Sequence, residues 1–283
     1  MNRTGAPLPA APSTLRAQSL LFVPGSRPDR IAKALDSGAD LVCVDLEDSV
    51  PEDGKGPARA AALAAIADHA DGRLALRING IGTRHGLADL LAVAEAEAPP
   101  PLLLLPKVES DAEVALIASA LGRDGIGLVP LVENPRGLRA AHRIAAAPQV
   151  CAMMFGGGDL SGELGVALEW EPLIGARSQF ILACAEAGVP AIDVPYVRLG
   201  DEAGLEEETR RAKALGFAAK AAIHPDQIAT IHRMMRPTAE ELEEAQAAEA
   251  AFAAGNGAAV RFRGKMLEAP IMRRYRQILA YKD

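Results

Sequence analysis

The stretch Val150-Cys151-Ala152-Met153-Met154-Phe155-Gly156-Gly157-Gly158-Asp159 decides how the rest of the chain is read. Val150 to Phe155 is an apolar run that reads as a buried strand, and glycines end it. Glycine lets the backbone approach a ligand closely and take up conformations closed to other residues. Asp159 therefore arrives where side chains have been stripped away, a placement suited to chemistry or metal binding. The same letters also describe a Gly-rich turn whose Asp merely caps the next helix. Recurrence along the chain favours the first reading.

Outward from this stretch, short apolar runs alternate with helical stripes. Strands are expected at Leu20–Val23, Leu41–Leu46, Leu74–Asn79, Leu102–Leu105, Ile126–Val132, Val150–Phe155, Ala191–Val194 and Phe217–Ile223. A helical pattern follows each, and Ser110 is placed to cap the one after the fourth strand. Strands that are apolar throughout, rather than alternating, belong to a parallel sheet buried on both faces. Eight βα units predict an α/β fold, a TIM (β/α)8 barrel with an extra C-terminal helical segment. A doubly wound sheet needs no eighth strand and usually opens with a Gly-rich phosphate loop, which is missing here. The expected organisation is a disordered segment over 1–18, the barrel over 19–236, and a helical extension over 237–283 that contributes to the oligomer or the active site.

The bulk numbers narrow the function. A net charge of −7 over 283 residues, with no basic run, argues against a nucleic-acid binder. No apolar stretch is long enough to span a bilayer, and residues 1–18 lack an apolar signal core, so no membrane is expected and the expected location is cytoplasmic. Cys43, Cys151 and Cys184 are scattered in apolar segments, form no metal spacing, and read as buried packing.

The active site of such a barrel lies at the C-terminal ends of its strands. There the chain places Glu47 and Asp48, Arg77 and Asn79, Lys107 and Glu109, Glu133, Asp159, Asp193 and His224. Glu133 and Asp159 follow neighbouring strands, about 4.8 Å apart, so two carboxylates can share one cation. With no His or Cys nearby in sequence, the ligands are oxygens, which favours Mg²⁺, with Mn²⁺ as competitor and zinc disfavoured. The plainer alternative pairs these acids with Arg136 and Arg139. An unpaired charge inside an apolar strand is costly, so Arg77 is expected to bind a carboxylate or thioester oxygen, to pair with Glu47 or Asp48, or to do both. Asn79 and Asp193 are expected to meet substrate alongside Arg77 and Glu133, with Glu47, Asp48 and Lys107 supporting them from behind. His224, before Pro225, reads as a hydrogen-bonding residue of the rim.

These residues sit in segments that resemble a known family. Leu21-Phe22-Val23-Pro24-Gly25, Asp45-Leu46-Glu47-Asp48-Ser49-Val50, Arg77-Ile78-Asn79-Gly80, Leu105-Pro106-Lys107-Val108-Glu109, Phe155-Gly156-Gly157-Gly158-Asp159-Leu160 and Ala222-Ile223-His224-Pro225-Asp226-Gln227-Ile228 stand in the order found in the citrate lyase β-subunit-like group. That group, within the aldolase/citrate lyase superfamily, includes malyl-CoA and citramalyl-CoA lyases. The resemblance implies a Mg²⁺-dependent lyase that splits a 3-hydroxyacyl-CoA thioester, of malyl-, citramalyl- or citryl-CoA type, into an acyl-CoA and a 2-keto acid. It implies that Glu133 and Asp159 hold the metal, that Arg77 binds the substrate carbonyl and steadies the enolate oxygen, and that Lys33 contacts substrate or CoA. It also implies a homo-oligomer, a trimer or a multiple of one, in which an acid of a C-terminal Met-Ile-Asp-x-Pro segment reaches a neighbouring copy's site and moves the proton. Here that segment reads Met266-Leu267-Glu268-Ala269-Pro270, with Glu268 in the place of Asp, and Asn134 stands where relatives usually carry Thr or Ser. Two rivals use other chemistry: an aldolase acting on free 2-keto-4-hydroxy acids without CoA, and a non-catalytic barrel that binds CoA and metal.

Overall fold

The structure, a computed structural model, describes residues 17–69 and 72–280. Most of the segment expected to lack order lies outside these residues. At its end Gln18 is buried, and its backbone N–H donates to Asp40 Oδ2 at 2.8 Å.

Eight parallel strands close into a barrel in sequence order: β1 (Ser19–Pro24), β2 (Leu41–Asp45), β3 (Leu74–Arg77), β4 (Leu102–Leu105), β5 (Gly127–Val132), β6 (Met153–Phe155), β7 (Ala191–Asp193) and β8 (Ala219–Ala222). The closing pair is β8 with β1, where Ser19 lies opposite Lys220. Around the strands run α1 (Ile31–Asp36), α2 (Lys55–Asp68), α3 (Arg84–Glu95), α4 (Asp111–Leu121), α5 (Pro135–Ala145), α6 (Gly157–Leu164), α7 (Trp170–Ala187), α8 (Glu202–Leu215) and α9 (Gln227–Met235). The expected cap is present: Ser110 Oγ accepts from Glu113 N–H, and Glu113 Oε2 accepts from Ser110 N–H.

Strand side chains alternate between two faces. Leu20, Cys43, Ala75, Leu104, Val129, Leu131, Met154, Ile192 and Ala221 form one buried cluster, which fills the barrel. Leu21, Val42, Val44, Leu76, Leu103, Leu128 and Val132 belong to a second cluster, beneath the helices. Both faces are buried, which is why the strands read as unbroken apolar runs. All three cysteines are free and buried, as the apolar flanks predicted.

Two elements differ from expectation. The sixth strand is only Met153–Phe155, with Val150 making an isolated bridge to Leu128. The Gly-rich stretch after it is a helix, α6, and Asp159 lies in its first turn rather than on the strand end. Glycine disfavours helix, yet Leu160 is fully buried, and a Cβ on Gly157 would press on Phe155, Val194 and Leu168. Packing overrides propensity here.

A second compact unit begins at Arg236. It holds α10 (Ala239–Ala254), an antiparallel hairpin of β9 (Val260–Phe262) and β10 (Lys265–Leu267), and α11 (Ala269–Leu279). Its core is Ala245, Ala248, Phe252, Leu267, Met272 and Tyr275.

Candidate functional site

Arg77 ends β3, and its register partner Asp45 ends β2. Counting by twos from Cys43 and Ala75 puts both on the interior face. Arg77 Nε donates to Asp45 Oδ1 at 2.6 Å and Nη2 to Oδ2 at 2.8 Å, a bidentate pair. Glu47 Oε2 lies 2.9 Å from Nη1, Asp48 Oδ2 lies 3.2 Å from Nη2, and the guanidinium stands 5.0 Å over the Phe22 ring. Burial alone would lower the Arg77 pKa, but the bonds to Asp45 and the charges of Glu47 and Asp48 outweigh it and raise it. Burial likewise works to raise Asp45, and Arg77 brings it below the ordinary value.

Glu133 follows β5, continues the interior face of Leu131, and is buried. Its neighbour across the β5–β6 pair is Gly156, where a Cβ would stand 2.2 Å from Glu133 Cβ and 2.7 Å from Oε2. The glycine is therefore the space Glu133 occupies. Glu133 Oε1 accepts the Lys107 backbone N–H at 2.6 Å. Burial first, then the charges of Glu47 and Asp159, push its carboxyl up to about 8. Glu47 is also raised, chiefly by burial, and its Oε2 has no aligned hydrogen-bond donor despite the nearby Arg77. Lys107 Nζ reaches Glu47 Oε1 at 2.8 Å and Asp159 Oδ2 at 3.6 Å.

Asp45, Asp48, Arg77, Glu133 and Asp159 line one cleft of about 390 Å³ at the C-terminal mouth, with Phe22, Leu131, Met154, Leu168, Val197 and Ile223 among its apolar walls. Formally, among the described residues, Asp45, Glu47, Asp48, Glu133 and Asp159 gather around two cationic side chains, Arg77 and Lys107, so the cluster is short of positive charge. The buried carboxyl of Glu133, the half-exposed one of Asp159 and the all-oxygen donor set around them fit a hard divalent cation. The plainer pairing with Arg136 is not what the structure holds: Arg136 faces Glu109 at 3.4 Å. Nor does Asp159 cap its helix, since Gly156 occupies that position with no side-chain hydrogen bond.

Two expected substrate contacts are corrected. Asp193 lies on the outward face of β7, wholly buried under the helices. Arg177 of α7 meets its Oδ1 at 3.0 Å and Lys220 of β8 its Oδ2 at 2.8 Å, so it cannot meet a ligand in the cleft. Asn79 is also buried, with Oδ1 accepting from Lys55 Nζ at 2.5 Å and Nδ2 donating to Asp89 Oδ2 at 2.6 Å. Lys33 is exposed on α1 and is not among the residues lining the cleft. Glu268 is exposed at the N-cap of α11 in the second unit, with no side-chain cap bond. His224 Nδ1 accepts from Asp226 N–H at 3.3 Å, as a rim residue would.

Three residues escaped the sequence reading. Asp45 anchors Arg77. Lys55, buried in α2, donates to the carbonyls of Leu46 and Glu47 at 3.0 and 2.9 Å and so holds the loop that carries Glu47. Asp89 ties Asn79 to α3. Asp45 had a signal: one acid in β2 and one base in β3 end strands that are otherwise apolar.

A closed (β/α)8 barrel with a carboxylate-and-arginine cleft at its C-terminal mouth defines a class of barrel enzymes, and the relatives specify it. The chain belongs to the HpcH/HpaI aldolase/citrate lyase family, whose profile matches residues 18–225, and a profile of TIM-barrel carbon–carbon bond lyases matches residues 184–280. It is 37% identical over 260 residues to a citrate lyase subunit beta-like protein of Mycobacterium tuberculosis, covering 89% of this chain and 90% of that one. It is 31% identical over 287 residues to a mitochondrial citramalyl-CoA lyase of Mus musculus, covering 93% and 85%. Among solved structures, it matches the protein CitE from Mycobacterium tuberculosis in complex with magnesium, acetoacetate and coenzyme A, with TM-score 0.81 and 35% identity over 94% of this chain and 98% of that one.

Proposed function

We propose that this chain is a Mg²⁺-dependent lyase that cleaves a 3-hydroxyacyl-CoA into an acyl-CoA and a 2-keto acid. The observation that carries this reading is the cleft cluster, in which Arg77 stands among Asp45, Glu47 and Asp48 beside Glu133 and Asp159. The solved relative that holds magnesium, acetoacetate and coenzyme A supports the ligand classes. A divalent cation held by Glu133 and Asp159 would supply Lewis-acid stabilisation of negative charge on substrate oxygen.

The chain's own residues do the rest. Asp45 fixes the Nε/Nη2 edge of the Arg77 guanidinium. Held on that edge, the Arg77 guanidinium lines the cleft, where its charge would stabilise a thioester oxygen that gains charge as the carbon–carbon bond breaks. Phe22, Leu131, Met154 and Ile223 give the same cleft apolar walls, which would strengthen that contact relative to open water. Glu268 is assigned the proton transfer at the acyl carbon, working from a neighbouring copy in a homo-oligomer. This assignment rests on its place in the Met266–Pro270 segment.

The test is steady-state cleavage of malyl-CoA, citramalyl-CoA and free 2-keto-4-hydroxy acids, with and without Mg²⁺. Mg²⁺-dependent release of a 2-keto acid from a thioester is expected, and Glu268→Gln should lose about 10²–10⁴ in kcat while still binding Mg²⁺. Cleavage of the free acids alone would replace this reading with the CoA-independent aldolase. CoA binding without cleavage of any substrate would replace it with the non-catalytic barrel.

A further inference from the structure

Lys107 follows β4 with φ at 56°, the left-handed region that disfavours a residue with a Cβ. Such conformations persist where the surrounding structure holds them, and they gather at functional sites. Here this one residue reaches carboxylates on three other elements. Its backbone N–H donates to Glu133 Oε1 at 2.6 Å, and its ammonium lies 2.8 Å from Glu47 Oε1 and 3.6 Å from Asp159 Oδ2. The two halves of Lys107 thus sit against the two groups assigned to the cation. Its side chain is half exposed, and it makes these contacts from a loop.

We propose that Lys107 is a positioning residue with two opposed effects on the metal. Its backbone holds Glu133 in place, while its ammonium acts as a built-in counter-cation that an entering divalent ion must displace from Asp159. The inference rests on the reading that Glu133 and Asp159 hold the cation. A divalent ion about 2.0–2.1 Å from an Asp159 oxygen would stand within a few ångströms of the ammonium. Like charges at that range repel, even with solvent nearby. Glu47 retains the displaced ammonium, so the side chain shifts without leaving the cleft. Removing only the charge should therefore tighten metal binding, the opposite of what removing a supporting salt bridge does.

The experiment is calorimetric titration of the full-length chain with MgCl₂, for wild type, Lys107→Gln, Lys107→Gly and Lys107→Arg. Glycine suits the backbone angle and keeps the N–H donor, so it reports on the charge even if the glutamine variant folds poorly. Lys107→Gln and Lys107→Gly are expected to bind Mg²⁺ about tenfold more tightly, the size of a partly screened repulsion, and Lys107→Arg to stay near wild type. On the wild type, acylation of the Lys107 amine, read by peptide mass spectrometry, should quicken at saturating Mg²⁺. Unchanged or weaker Mg²⁺ binding by the uncharged variants overturns the inference, as does an acylation rate that Mg²⁺ leaves unchanged or slows. Wild type that fails to bind Mg²⁺, or Asp159→Ala that binds it as well as wild type, overturns the metal reading itself. The two failures are therefore distinguishable.

Discussion

The smallest residue of the cleft carries one of its strictest constraints. Gly156 stands where a Cβ would meet Glu133 Cβ at 2.2 Å, with Glu133 backbone also at 3.1 Å, so neither strand end can yield cheaply. Gly156→Ala should displace the Glu133 carboxylate, costing about 1–3 kcal/mol of stability by overpacking. It should also weaken Mg²⁺ binding at least tenfold; calorimetry showing wild-type affinity would remove the constraint. Asp45 is the other telling residue. It touches Arg77 with both oxygens and accepts the backbone N–H of Glu47 at 2.9 Å and of Ser49 at 3.1 Å. Asp45→Asn keeps the shape but loses the bidentate charge. The expected outcome is a fall in kcat of about 10–100-fold, the range for a residue that orients another, with Mg²⁺ affinity nearly unchanged. An unchanged kcat would show that Arg77 is held well enough by Glu47 and Asp48.

At the scale of elements, buried charge ties neighbouring strands to the helices above them. Asp193 on β7, Lys220 on β8 and Arg177 on α7 are sealed from solvent, and Lys220 also reaches Glu208 of α8 at 2.8 Å. Burial works to raise the Asp193 pKa, but Lys220 and Arg177 hold it below the ordinary value. Asp193→Ala leaves two buried cations without it and should cost about 3–5 kcal/mol in denaturant unfolding, with Mg²⁺ affinity kept. Loss of affinity with full stability would restore Asp193 to the substrate side. A second tie joins the start of β1 to α9. Asp40 Oδ2 accepts the N–H of Gln18 at 2.8 Å and of Ser19 at 3.0 Å, and lies 3.2 Å from His232 Nε2. Burial acts to raise its carboxyl, but His232 and those N–H groups bring it down from 3.8 to about 2. A lowered carboxyl adds stability above the unfolded value, and that stability is lost as pH falls through the folded one. Asp40→Asn should therefore flatten the acid limb of thermal stability between about pH 4 and pH 2 while lowering Tm at pH 7. An acid limb identical to wild type would show that the tie does not titrate.

For the whole molecule, cation binding and stability are one measurement. A cation that binds only the folded chain at a hundred times its Kd adds about 2.7 kcal/mol, which for a barrel of this size raises Tm by about 5–10 °C. Asp159→Ala should abolish that shift without unfolding the protein, since Asp159 is half exposed and its ion pair with Lys107 is a long one at 3.6 Å. Light scattering at micromolar concentration should return a multiple of 29.5 kDa. A monomer with full lyase activity would remove the need for a neighbour's Glu268.

The sequence by itself determined the eight strands, their parallel order and the mouth at which polar residues gather. Those features depend on local periodicity and chain order, and unbroken apolar runs such as Leu102–Leu105 admit little else. It also brought out Glu133, Asp159 and Arg77, because a charge that closes an apolar strand needs a reason. It placed Asp159 on a strand end, whereas the contacts of Leu160 and Gly157 make that stretch a helix. Tertiary structure alone decided which polar residues face the cleft. Side chains alternate along a strand, so one position separates Ile192, inside the barrel, from Asp193, under the helices. Tertiary structure also brought Asp45 to Arg77, Lys55 to the Glu47 carbonyl and Lys107 to Glu133, pairings set by strand register and loop path rather than by local periodicity.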